Sequence, residues 1–63
     1  MNEELCRVRL GKWIVGLLVR EGRLTEESRQ LAYRLFRCET VEDVEALAAA
    51  RNWKVERVVW KGP

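Results

Sequence analysis

The sequence predicts an α+β fold of order ββααβ, a small single domain over residues 1–63 with a three-stranded antiparallel sheet and two helices on one face. Three observations carry it: an alternating run broken by a Gly-Lys pair, two capped amphipathic segments, and a closing run rich in β-branched and aromatic residues.

Leu5-Cys6-Arg7-Val8-Arg9-Leu10 alternates as a half-buried strand does. Gly11-Lys12 suits a two-residue type II′ turn with Gly in the first central position. That register sets Leu10 against Trp13, Val8 against Val15 and Cys6 against Leu17, all on one face. A helix competes over 12–21, since Leu10, Trp13, Ile14, Leu17 and Leu18 also fit helical spacing and Arg20-Glu21-Gly22 resembles a helix end. Gly11, Gly16, Trp13, Ile14, Val15 and Val19 are mediocre or poor helix formers and favour the hairpin. The competing architecture is βαααβ, mostly helical.

Thr25 caps a helix through Arg37, with Leu24, Ser28, Leu31, Ala32, Leu35 and Phe36 on its apolar face. Glu26 and Glu27 at its start and Arg34 and Arg37 at its end suit the helix dipole. Thr40 with Asp43 three residues on opens a second helix, Thr40 to Arg51, striped by Val41, Val44, Leu47 and Ala48. Asn52 is a left-handed stop. Trp53 to Trp60 then reads as a strand.

Composition excludes most chemistry. The 63 residues hold no His, so the usual neutral-pH base and the commonest metal ligand are missing. Ser28 sits inside a helix with no base to activate it, and the carboxylates cluster in first helical turns, where capping explains them. Gly11, Gly16 and Gly22 match no phosphate-binding loop. No catalytic, metal or cofactor site is expected, and the chain reads as a non-enzyme. Cys6 and Cys38 are expected as buried free thiols in a reducing compartment. Met1 to Arg9 carries four charges and does not read as a secretory leader. The longest uncharged run, Trp13–Val19, is too short to span a bilayer. A cytoplasmic protein without membrane attachment is expected.

The hairpin reading carries a functional consequence. Two helices cover one sheet face, leaving Ile14, Leu18, Val58 and Trp60 on the other, beside Arg7 and Arg9. A wet sheet face should read polar, whereas a group of large apolar residues marks a contact surface. The expected partner is protein, either a second copy in a homodimer or a larger protein that this chain docks on as a subunit or regulator. The alternative is single-stranded nucleic acid, with Trp60 stacking a base and Arg7, Arg9 and Lys54 holding phosphates. Charge partition supports it in part: the sheet segments sum to +4 and the helical segment, 25–51, to −2. A different register, with one tight core absorbing every apolar residue, remains the bland alternative. Trp13 is expected in the core. Trp53 and Trp60, seven apart, point to opposite faces of an unbroken strand.

Cys38 to Val44 followed by Trp53–Trp60 resembles the helix-then-strand unit of many small phage-encoded proteins, some of which act by docking on a host enzyme. Leu17 to Thr25 is similar to the helix–Gly–helix turns of several bacterial modules, which favours the helical alternative. Neither resemblance assigns a functional residue.

Overall fold

A computed structural model describes residues 3–61 and resolves the hairpin-or-helix choice in favour of the hairpin. The order is β1 (Glu3–Leu10), β2 (Trp13–Arg20), β3 (Arg23–Leu24), α1 (Glu26–Phe36), α2 (Val41–Arg51) and β4 (Lys54–Val59). The strands form one antiparallel sheet in the order β3-β2-β1-β4. It has four strands where the sequence predicts three.

The first turn is as expected. Leu10 pairs with Trp13, Val8 with Val15 and Cys6 with Leu17. Gly11 takes φ +63 while Lys12 is not left-handed, as a type II′ turn requires. The added strand comes from a second tight turn. Arg20 pairs with Arg23, and the two residues between them, Glu21 and Gly22, have φ of 53 and 80. That is the type I′ signature, which Asn-Gly normally supplies. Glu21 is therefore a strained L-residue in the left-handed region. Replacing Glu21 by Asn is expected to raise unfolding free energy by on the order of 1 kcal/mol. A denaturation midpoint that stays put or falls would refute the strain.

Both helices start where their caps dictate. The Thr25 hydroxyl accepts from the Ser28 amide at 3.4 Å, and that of Thr40 accepts from the Asp43 amide at 3.0 Å. The Asp43 carboxylate reaches back to the amide of Glu39, at 3.4 Å, so the box closes one residue early. Arg37 and Asn52 both end their helices at φ 61.

The core lies between the sheet and the helix layer. Cys6, Val8, Leu17 and Val19 from the hairpin meet Ala32, Cys38, Val41, Val44 and Ala48. These side chains are small, so two helices close tightly on the sheet. Trp53 seals one end, with the Phe36 ring 5.6 Å away and the Arg51 guanidinium 5.7 Å above its face. Among the described residues no helix is long and apolar enough to cross a membrane.

Three apolar expectations fail here. Trp13 is 73% exposed and not core. Each helix has 11 residues and each hairpin strand has eight, lengths of about 16 Å against about 27 Å. Trp13 sits beside the turn on the outer side of β1, whereas the Phe36–Trp53 pair that covers this end lies toward β4. Leu31 and Leu35 are likewise exposed, which narrows the α1 stripe to Leu24, Ser28, Ala32 and Phe36. Ala32 sets the depth at which α1 rests on the sheet, and the longer leucines fall outside it.

Candidate interaction face

Alternation along three strands decides what lies on the sheet face away from the helices. Glu3, Leu5, Arg7 and Arg9 of β1 share that face with Ile14, Gly16, Leu18 and Arg20 of β2. From β4 it receives Lys54, Glu56 and Val58, and Trp60 continues the alternation. β4 runs through without a break in pairing, so Trp53 and Trp60 do take opposite faces. Trp53 packs on the core side, and Trp60 lies partly buried on the open face.

Register then sorts this face into rows. Leu18, Leu5 and Val58 stand in line across β2, β1 and β4. The Trp60 amide donates to the Glu3 carbonyl at 2.9 Å, which places Trp60 in the adjacent row, one step along β4 from Val58. These four make one apolar cluster. Leu5 has the space to lie flat because Gly16 is its diagonal neighbour: a Cβ on Gly16 would stand 3.2 Å from Leu5 Cδ1. Leu5 belongs to the cluster although only its place in the alternation signals it in the sequence.

Ile14 does not join them. It sits four residues before Leu18 on its own strand, about 13 Å away, with Gly16 between. Its cross-strand neighbour is Arg9, whose other neighbour is Lys54. The sequence-predicted set is thus split into Leu18, Val58 and Trp60 at one end and Ile14, Arg7 and Arg9 at the other. Ile14 is 57% exposed and Val58 37%.

The Ile14 end is basic. Arg7, Arg9, Lys54 and Glu56 surround a shallow hollow of about 320 Å³ with Ile14 in its wall. Arg7 Nη2 bonds Glu56 Oε1 at 3.0 Å, whereas its Nε is enclosed and has no partner among the described residues. Arg9 and Lys54 form no ion pair among the described residues. At the other end Arg20 and Glu3 pair at 2.6 Å and close the border of the cluster.

No family model, curated protein or solved structure matches the chain. The site therefore rests on its own chemistry. The helix side holds a different kind of charge: Arg57 lies between Glu45 and Glu4, at 3.6 and 3.9 Å. Beneath it the Cys6 thiol is pushed up from its ordinary range by burial, with Arg57 opposing and Glu45 and Glu4 reinforcing. Burial raises Cys38 too, with Asp43 adding to it. Both thiols are free and buried, and burial disfavours the thiolate form that a nucleophile needs. Among the described residues no group of His, Cys, Asp or Glu is placed to hold a metal ion.

Proposed function

We propose that this chain is a small, non-enzymatic protein-interaction module that works in the cytoplasm and docks on a protein partner through the open sheet face. The row Leu18–Leu5–Val58, flanked by Trp60, is the observation that carries the reading. A sheet face left to water is normally polar, and a continuous apolar row crossing three strands gains by being covered. Trp60 is its aromatic anchor, of the residue type that dominates protein interfaces. Arg20 and Glu3 form a polar rim at one end, and Arg7 and Arg9 at the other.

Trp60→Ala is expected to weaken partner binding by about 30-fold, the loss of a 2 kcal/mol hot spot, with little change in unfolding midpoint. Photo-crosslinkers at Val58 and at Glu42 read the same question by position. Crosslinking to a partner from Val58 alone supports the open face. Crosslinking from Glu42 alone assigns binding to the helix side, and wholesale unfolding of Trp60→Ala assigns Trp60 to the fold.

One observation favours the second reading, a single-stranded nucleic acid on the same face. Arg9 and Lys54 make no ion pair among the described residues and stand beside a hollow, and Trp60 would stack a base beyond them. Binding to mixed single-stranded oligomers that falls steeply with salt, and that Arg9→Ala abolishes, would establish this reading in place of the first.

A further inference from the structure

We propose that β2 pairs with β2 of a second copy across a two-fold axis at Val15, joining two sheets edge to edge. The contact uses the sheet edge, not the open face, and does not rest on the docking reading above.

The direction of backbone groups comes first. The Thr25 amide donates to the Leu18 carbonyl at 3.0 Å, and the Leu18 amide donates to Ser28 Oγ at 2.7 Å. The backbone groups of Leu18 therefore point away from β1, and by alternation so do those of Ile14 and Gly16. β3 pairs with only Val19 and Arg20, so Ile14 and Gly16 present four backbone groups that no described residue engages.

The two sheet edges differ in how they are guarded. The β4 edge carries Lys54, Glu56 and Arg57, the charges that natural edges use against unwanted pairing. The β2 edge lies in the uncharged run Trp13–Val19 and carries no charge, Pro or bulge. It is an edge built to be covered.

Length and register identify what covers it. The free stretch is bounded by the Gly11-Lys12 turn and by Thr25 at Leu18, leaving residues 13–17 with Val15 at their centre. Laid antiparallel on itself about Val15, this stretch fits with no overhang. Ile14 then exchanges both backbone bonds with Gly16 of the second copy, in each direction, and all four free groups of each chain are used. The Ile14 side chain meets a glycine, where no Cβ competes for the space. Where Thr25 ends the free edge of one chain, the turn of the other leads away. That turn brings Lys12 to the start of the second copy's α1, where Glu26 and Glu27 stand exposed, and the symmetry repeats the charge match.

The helix side agrees. Ser28 contacts Leu18, and Phe36 contacts Trp53, the residue that precedes the Lys54–Arg9 pair and so stands level with Leu10. α1 thus begins at the β2 edge and ends level with Leu10, with Phe36 turned toward the β4 side. Leu31 and Leu35, three and seven residues after Ser28, line its β2-edge side and are 36% and 50% exposed. With Trp13 they form the apolar surface that a neighbouring sheet and helix would bury.

Sedimentation equilibrium and site-directed crosslinking test the pairing. The chain is expected to sediment at twice its 7.4 kDa mass. Ile14→Pro removes an outward amide that β1 does not use, a change edge strands tolerate, and should give a folded single chain by circular dichroism. Val15 meets its own copy at a non-hydrogen-bonded position, where cross-strand Cβ atoms come closest. Val15→Cys should therefore form a disulfide dimer on mild oxidation, whereas Val59→Cys on the β4 edge should not. Trp60→Ala should leave the dimer intact while weakening docking, which separates the two surfaces. A single-chain mass at every concentration, a dimer that survives Ile14→Pro, or no Val15→Cys crosslink would overturn the proposal. If Ile14→Pro fails to fold, the cysteine pair decides alone.

Discussion

Leu17→Ala is expected to bring the fold close to its own unfolding midpoint. Leu17 heads the fully buried side chains by volume, with no exposed surface, and it stands between Cys6 on β1 and the helix layer. Trimming its isobutyl side chain to a methyl forfeits burial and leaves a cavity, together about 2–5 kcal/mol. A domain of 63 residues has only roughly 3–9 kcal/mol in total. Val59, 73% exposed on the β4 edge, gives the contrast: Val59→Ala should move stability by no more than about 0.5 kcal/mol. Urea denaturation of the two variants checks both values. Equal losses would mean that the core is not organised around the hairpin.

The second large effect concerns a hydroxyl. Ser28 is the buried polar residue of the molecule's described part, and its Oγ receives the Leu18 amide at 2.7 Å. Ser28→Ala keeps the helix and removes the acceptor, so the part-buried Leu18 amide loses its side-chain partner. The expected loss is about 1–3 kcal/mol. The readout specific to this bond is hydrogen exchange at Leu18, which should accelerate more than at Val8 on the far side of the hairpin. Uniform acceleration across both would show that Ser28 acts only through global packing.

Much of this architecture is legible in the chain. Alternation in 5–10 and a Gly in the first turn position fix the hairpin register residue by residue, and the Thr25, Thr40 and Asn52 caps fix the helix ends. β3 is not legible, because two residues carry no periodicity and Glu21-Gly22 is an unusual pair for a type I′ turn. Trp13, Leu31 and Leu35 mislead for a common reason. Hydropathy reports what prefers burial, whereas burial here is limited by where α1 lies over the sheet and by the small residues of its buried stripe. The candidate face shows both sides of this. Alternation assigns its members correctly, but only the pairing of three strands reveals that Leu5 completes one cluster and that Ile14 belongs to another.

The pairing of β1 with β4 has a consequence for how the open face exists at all. Leu5 and Val58 are neighbours across the sheet although they come from opposite ends of the chain. Each hairpin closes over two residues, but this contact closes a loop that contains all four other elements, both helices included. The apolar row is therefore a signature of the intact chain. Cut the backbone anywhere between these strands and let the pieces part, and neither fragment holds the complete row. A partner that reads this row would read, in a single contact, that everything from β1 to β4 has been made and folded.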